Sequence, residues 1–171
     1  LTSFEIAIQL GAILSVVVLY AKTFLINRVI LKKIIIAFLP TAGIGIIFYR
    51  SIKMILMGDT ALVLSAILGG GIILILFEFF YREKKGTVTQ IAHMTNRQAC
   101  LIGLCQSLAF IPGVSRAAAT ILGGLLLGVD RKTIVEFSFL LAVPTMLAAT
   151  LLDLYKNLHL FSSQQLSFFI I

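Results

Sequence analysis

An arginine, three hydroxyl side chains and a Pro-Gly break lie close together in one short stretch of an otherwise apolar sequence. The stretch covers residues 106–120, with Pro112-Gly113 at the break and Arg116 three residues further on. An ionised side chain at membrane depth is costly, and it therefore indicates a functional site. A helix break at that depth is tolerated only where protein or a water-filled cavity covers the freed backbone groups. Both features therefore indicate one site.

The spacing predicts a helix that ends near Phe110, a turn over residues 112–114 and a second helix that begins near Ser115. Ser115 is suited to cap the second helix, whose first N–H groups and positive dipole end remain free. A helix N-terminus beside Arg116 is suited to bind an anion, and phosphate fits it best. We therefore predict a phosphate pocket inside a membrane. The predicted phosphate-binding residues are Gly113, Val114, Ser115, Arg116 and Thr120.

The two candidate catalytic residues are Arg116 and Ser115. Arg116 is expected to clamp phosphate oxygens and to stabilise the charge that develops on them. Ser115 has three open roles, since it can act as a nucleophile, as a hydroxyl donor to phosphate or only as a helix cap. Thr120 can face the pocket or donate back to the carbonyl four residues earlier.

Four further polar residues in apolar helices are candidate cavity-lining residues. Glu5 and Gln9 share one helical face, and Glu136 lies near the start of another apolar segment. These acids can line a cavity or sit at the membrane interface near helix N-termini, where acids are favoured. Gln106 can bond across the hairpin or contact a ligand. The set is Glu5, Gln9, Gln106 and Glu136.

Composition indicates a membrane protein, with 60% hydrophobic residues, 12% charged residues and a mean hydropathy of +1.09. A soluble domain has about twice that charged share. The net charge of +7 falls in short connections without a basic stripe, which excludes a nucleic-acid-binding surface. We predict an all-α, polytopic helical bundle that forms a single transmembrane domain. The predicted spans are about 4–20, 34–49, 61–80 and 134–154, with a further span beginning at about 166–171.

The segments at 98–111 and 115–127 are too short for full crossings and predict a re-entrant helical hairpin at about 97–128. Ten Lys and Arg residues then fall on the side of the linkers at 21–33, 82–97 and 129–133, which the positive-inside rule places in the cytoplasm. The segments that begin at Glu5 and Glu136 share a pattern and run in opposite directions. This similarity predicts an inverted-topology repeat, against the alternative of chance likeness between two apolar helices.

Four segments together resemble the undecaprenyl-diphosphate phosphatase (bacitracin-resistance) family. Residues 106–120 are similar to its Pro-Gly-x-Ser-Arg-Ser-x-x-Thr motif, with Ala117 in place of the second serine. The other similar segments are 4–14, 136–144 and 153–156. The family's second motif, a glutamate-rich loop with a histidine, is absent and is expected upstream of Leu1. The chain is therefore expected to be a fragment that is inactive alone.

The resemblance implies a membrane enzyme that hydrolyses undecaprenyl diphosphate to undecaprenyl phosphate in cell-wall lipid-carrier recycling, and so confers bacitracin resistance. It implies a divalent cation, Mg²⁺ or Ca²⁺, held by carboxylates upstream of Leu1, and a multi-pass protein of the bacterial inner membrane. Expected partners are the polyprenyl diphosphate substrate, membrane lipids and a second copy in a homodimer, with no nucleic acid. The alternative is a polyprenyl-phosphate transporter or flippase that uses the same pocket, since broken helices and buried charge are also transporter features.

Overall fold

The computed structural model describes residues 2–21, 27–56, 60–82 and 88–157, with side chains described at 8, 11–21, 27–47, 60–82 and 88–152. Two short 3₁₀ segments, Ile91–His93 and Ser107–Phe110, supplement the α-helices. The described residues contain no strand beyond an isolated bridge between Val88 and Val129, which confirms the all-α prediction. The helices are α1 (Thr2–Leu19), α2 (Arg28–Leu56), α3 (Thr60–Phe80), α4 (Asn96–Gln106), α5 (Arg116–Leu126) and α6 (Arg131–Asn157).

Three of these helices are long and apolar enough to cross a membrane. They are Arg28–Ile47 within α2, the whole of α3 and Arg131–Leu152 within α6, with mean hydropathies of 1.9, 2.5 and 1.9. About 20 residues suffice for a crossing. Helix α3 has no buried residue, so its apolar side chains face outward almost all round. The predicted span that begins near residue 166 lies outside the described residues.

Two helices begin earlier than the predicted spans, because polar side chains cap them ahead of their apolar parts. Asn27 accepts hydrogen bonds from the N–H groups of Val29 and Ile30, so α2 already includes residues 28–33 of the predicted basic linker. Asp130 accepts from the N–H groups of Lys132 and Thr133 at the start of α6. The basic residues in these first turns can keep their charged ends in water while their aliphatic stems lie along the helix.

The predicted helical hairpin is present as two short helices on either side of a break. Thr95 caps α4 through a reciprocal pair of bonds with Gln98, and the Gln98 side chain also donates to the Leu127 carbonyl at the base of the hairpin (2.9 Å). After α4 the chain tightens into the 3₁₀ segment, turns and returns as α5. Neither arm is a full crossing in length, since each α-helix has 11 residues.

The hairpin packs between α2 and α6 around a core that those helices share. A Cβ on Gly103 would collide with the Ala37 carbonyl of α2, and one on Gly124 would collide with Ile134 of α6. Small residues allow such close helix contact in membranes, where lipid gives helices little hydrophobic reason to associate. The core comprises Ile34, Ala37, Ile91, Met94, Ala99, Ile102, Leu125, Val129, Ile134, Phe137, Leu140 and Leu141.

Contacts at the base of the hairpin bring several helix ends to one end of the bundle. Lys33 of α2 donates to Asn96 of α4 (2.6 Å), and Arg131 of α6 pairs with Glu78 near the end of α3 (3.1 Å). Tyr81 donates to the Leu125 carbonyl at the end of α5 (3.0 Å). The described parts of the three basic linkers therefore lie together, as the charge pattern predicts. Their cytoplasmic location stays a prediction.

Candidate functional site

The break between the hairpin arms is a tight turn over residues 111–114. The Val114 N–H donates to the Ile111 carbonyl (3.0 Å), and Gly113 has φ +95°. Proline at the second position and glycine with positive φ at the third are typical of a type II turn. A Cβ on Gly113 would lie 2.6 Å from the Val63 carbonyl oxygen of α3. The sequence prediction of a turn here is confirmed, and glycine is required both by its φ and by the space.

Helix α5 begins directly after the turn with two free backbone donors. The Ser115 hydroxyl accepts from the Ala118 N–H (3.3 Å), which confirms its predicted role as N-cap. In the described part of the chain, the amides of Arg116 and Ala117 have no hydrogen-bond partner. The Val114 amide, in contrast, is occupied within the turn. The free donors available to an anion therefore include those of Arg116 and Ala117 but not that of Val114, whose contact with phosphate stays a prediction.

Arg116 lines a largely apolar cavity between the hairpin, α1 and α6. The cavity has a volume of about 220 Å³. The Nη1 atom of the Arg116 guanidinium is buried and has no partner among the described residues. A buried donor left without a partner costs about 1–3 kcal/mol, so this N–H group requires an acceptor. The other lining residues are Ala12, Ile13, Val16, Phe139, Ala142, Val143 and Met146.

Thr120 lies inside the protein, between α5 and α6, with 0% of its surface exposed. Its hydroxyl lies 3.1 Å and 2.9 Å from the carbonyls of Arg116 and Ala117 in its own helix, and 2.6 Å from the Ser138 hydroxyl of α6. The hydroxyl has a single proton, and these acceptors use it, so no donor remains for a phosphate oxygen in this arrangement. The hydroxyl thus attaches α5 to α6, and the phosphate contact of Thr120 stays a prediction.

Gln106 and Glu136, the two predicted cavity-lining residues whose side chains are described, do not lie in the cavity at Arg116. Gln106 is buried between α2 and α6, where its Nε2 donates to the Thr41 and Thr145 hydroxyls (3.1 Å each). Glu136 is half-buried on α6, outside the lining of the Arg116 cavity, and it makes no hydrogen bond to a described residue. The side chains of Glu5 and Gln9 lie outside the described residues, so their role stays a prediction.

Sequence reasoning missed the small hydroxyl residues that hold the hairpin, namely Thr41, Ser138 and Thr145. A signal was present, because Pro40-Thr41 in α2 and Pro144-Thr145 in α6 are the same dipeptide inside two long helices. The apolar lining of the cavity was also missed. Its α6 members, at 139, 142, 143 and 146, have helical spacing, but such spacing equally fits a lipid-facing stripe.

The described residues do not form a metal site of their own. No three His, Cys, Asp or Glu side chains in the described ranges lie close enough together to hold an ion. Arg116 and the free amides at the start of α5 are donors, which suit anions and cannot ligate a cation. The chemistry of this end of the cavity therefore suits an anion.

Comparison with known proteins agrees with these motifs. The sequence matches the family described as Bacitracin resistance protein BacA over residues 1–171. It is 49% identical over 155 residues to an undecaprenyl-diphosphatase of Sulfurihydrogenibium sp., covering 91% of this chain and 60% of the relative. The corresponding protein of Aquifex aeolicus is 48% identical over 169 residues, with 99% and 66% covered. That of Persephonella marina is 48% identical over 159 residues, with 93% and 62% covered.

The chain thus spans 60–66% of the length of these curated relatives. The family match extends over every described helix, including the Pro112–Arg116 turn and the three helices that can cross a membrane. The chain is a multi-pass membrane protein that belongs to the bacitracin resistance protein BacA family.

Proposed function

We propose that the Arg116 site binds the diphosphate head of undecaprenyl diphosphate in an enzyme that hydrolyses this lipid to undecaprenyl phosphate. The observation that carries the proposal is the buried Nη1 of Arg116, which has no partner among the described residues and belongs to the first residue of α5. Guanidinium and free helix amides are matched to phosphate oxygens. The named relatives are undecaprenyl-diphosphatases, which supports this choice of ligand.

The apolar lining of the cavity supports a lipid rather than a free nucleotide or inorganic phosphate as ligand. Side chains of α1 and α6 surround the arginine with hydrocarbon, including Ile13, Val143 and Met146. A ligand with an anionic head and a hydrocarbon chain satisfies both parts of the site. The first carbons of the prenyl chain would lie against α6, and the rest would pass between helices toward the lipid.

In the proposed reaction, a water molecule attacks the terminal phosphorus and the bond from that phosphorus to the bridging oxygen breaks. The products are inorganic phosphate and undecaprenyl phosphate. Arg116 and the amides at 116–117 stabilise the negative charge on the phosphoryl oxygens, which is the main requirement for phosphoryl transfer. The exposed Ser115 hydroxyl keeps its proton available as a further donor, since its oxygen accepts from the Ala118 amide.

No described carboxylate or histidine contacts the Ser115 hydroxyl or the Arg116 side chain. We therefore place proton transfer, and the ligands of an expected Mg²⁺ or Ca²⁺ ion, outside the described residues. A bound cation would neutralise phosphate charge opposite Arg116. The proposal includes the bacterial inner membrane as location, lipid-carrier recycling and bacitracin resistance as cellular roles, and a homodimer as assembly.

The test is phosphate release from undecaprenyl diphosphate by the purified, complete gene product in detergent. Arg116→Ala should lower kcat/KM by about 10²–10³-fold, as expected for loss of a preorganised charge contact. Arg116→Lys should recover only part of the lost kcat/KM, because a lysine makes no bidentate contact with phosphate. Arg97→Ala is the matched control, since Arg97 is an exposed arginine on α4.

Near-normal turnover by Arg116→Ala would remove the proposed clamp. A wild-type protein that releases no phosphate but moves the lipid phosphate between the leaflets of vesicles would instead support the transporter alternative.

A further inference from the structure

Gln106, the last residue of α4, is clasped between two helices at the point where the hairpin break begins. It is 1% exposed, and its Nε2 donates to Thr41 of α2 and to Thr145 of α6, at 3.1 Å each. The residue after it, Ser107, begins the 3₁₀ segment that leads to the turn. The three side chains at 41, 106 and 145 are called the clasp below.

The two threonines fix the orientation of the carboxamide. Thr41 donates its proton to the Gly103 carbonyl (2.7 Å), and Thr145 donates its proton to the Leu141 carbonyl (2.7 Å). Each hydroxyl oxygen can then only accept from the amide, so the NH₂ group must face both threonines. Oε1 consequently points away from them, and it is buried without a partner among the described residues. An orphaned buried acceptor in a native protein calls for an explanation beyond packing.

Both threonines follow a proline inside a membrane-spanning helix. Pro40 and Pro144 have no N–H, so each removes a bond from the helical ladder of α2 or α6. The clasp therefore joins the end of α4 to the interrupted segments of two neighbouring helices at once.

A second attachment holds the other arm of the hairpin to the same face of α6. Thr120 of α5 contacts Ser138, which lies seven residues before Thr145. Seven residues are two helical turns, so the two partners on α6 share one face at a separation of about 10.5 Å. The two attachments lie on either side of residues 107–119, which include Arg116.

We propose that Gln106 is a positioning residue for the phosphate site. Through Thr41 and Thr145, Gln106 fixes α4, the first arm of the hairpin. Together with the Thr120–Ser138 contact, it positions Arg116 relative to the residues of α6 that line the cavity. The lining residues Val143 and Met146 lie within one turn of Thr145, so a shift at the clasp moves the arm and the cavity relative to each other. The inference rests on the proposed function for its kinetic effect, and on the fold alone for its structural effect.

The test compares Gln106→Met, Thr145→Val and the double variant in the complete gene product. Methionine keeps the size of the side chain and removes its hydrogen bonds. In purified variants of normal folded yield, kcat should fall about tenfold while KM changes less than about twofold, since positioning is lost in the transition state. The double variant should be no slower than Gln106→Met, because residues that act as one unit are not additive.

The matched control is Gln98→Met on the same helix. Gln98 caps α4 and bonds to Leu127 at the base of the hairpin, so its loss should lower thermal stability without lowering kcat. Unchanged kcat in Gln106→Met, or a double variant slowed by the product of the two single effects, would overturn the inference.

A second readout is independent of activity. Cys105 is half-buried beside Gln106 and packs against Gly123 of α5. In a Cys100→Ser background, a small thiol reagent should label Cys105 several-fold faster in Gln106→Met and Thr145→Val than in wild type, with no change in Gln98→Met. If the wild-type protein releases no phosphate, the proposed function is rejected while the structural role of Gln106 stands. Equal labelling rates of Cys105 in wild type and in the variants would reject the positioning role as well.

Discussion

The hydroxyl oxygens of Thr120 and Ser138 lie 2.6 Å apart between α5 and α6. Thr120 is four residues beyond Arg116 along α5. The pair is buried, and Thr120 also bonds to its own helix. A polar residue beside a predicted phosphate site thus acts here as an attachment between helices. A role as a phosphate contact and a role as an attachment between α5 and α6 can be distinguished, because only the second requires Ser138 as partner.

Thr120→Val and Ser138→Ala should have the same effect, because each removes one side of the same contact. Each should lower the free energy of unfolding by about 1–2 kcal/mol, near the upper limit for interhelical hydrogen bonds in membranes. The double variant should lose no more than the larger single variant. Ser65→Ala on the exposed face of α3 is the control. Loss of activity in Thr120→Val with normal activity in Ser138→Ala would support Thr120 as a phosphate contact.

Gly113→Ala should disturb the site, whereas Gly128→Ala should disturb only the fold. Both glycines have positive φ, at +95° and +78°, so both substitutions incur about 1–2 kcal/mol of backbone strain. A Cβ at Gly113 would also press on the Val63 carbonyl of α3, while one at Gly128 meets nothing within 4 Å. Thermal unfolding and phosphate release measure the two effects. Equal loss of activity in both variants would contradict a specific role for the turn.

Ser115 can be tested by separating its cap from its hydroxyl. Asparagine caps helices about as well as serine and has no hydroxyl, whereas alanine loses both functions. We expect Ser115→Ala to lower the free energy of unfolding by about 1 kcal/mol and Ser115→Asn to leave it unchanged. If the hydroxyl only donates to phosphate, both variants should keep measurable turnover, reduced by about tenfold. Complete loss in both, with normal folding, would identify Ser115 as the nucleophile.

Gly103→Ala should separate α2 from α4. Its new Cβ would collide with the Ala37 carbonyl, and the Thr41 hydroxyl would lose its 2.7 Å bond to the Gly103 carbonyl. We expect a loss of about 3 kcal/mol in the free energy of unfolding, at the upper end of overpacking effects. Gly70→Ala on α3 meets nothing within 4 Å and should instead raise helix stability by up to about 1 kcal/mol. A destabilised Gly70→Ala would indicate a partner against α3.

The sequence was sufficient for the features that depend on local chemistry. Apolar segment lengths predicted the helices, and Pro112, Gly113 and Ser115 predicted the turn and the cap, because these residues restrict the backbone wherever they stand. The side chain of Thr120 could not be placed in this way. Whether a helical threonine faces a ligand or a neighbouring helix depends on which helix packs against it.

The same limit applies to Gln106 and to the cavity. The partners of Gln106, Thr41 and Thr145, lie 65 and 39 positions away along the chain, and the cavity likewise joins distant segments. Local patterns do not specify such pairs. The repeated Pro-Thr dipeptide marked positions 41 and 145 in the sequence, but it did not predict that Gln106 binds both threonines. The use of the Val114 amide within the turn was, in contrast, predictable, since a type II turn pairs its first carbonyl with its fourth N–H.

Ala142→Leu should test whether the apolar cavity beside Arg116 holds the prenyl chain. Ala142 is a buried lining residue of α6, and the cavity of about 220 Å³ can take three extra carbons without strain. If the first carbons of the lipid occupy this space, displacing about two methylene contacts should raise KM for undecaprenyl diphosphate about tenfold. Inhibition by inorganic diphosphate, which has the head group without the chain, should be unchanged.

Ala149→Leu is the matched control, because Ala149 is exposed on the same helix. It should leave both KM for the lipid and inhibition by diphosphate as in wild type. Weaker inhibition by inorganic diphosphate in Ala142→Leu would mean that the cavity holds the head group itself. An unchanged KM in a folded Ala142→Leu variant would place the prenyl chain elsewhere and leave Arg116 as the one tested part of the site.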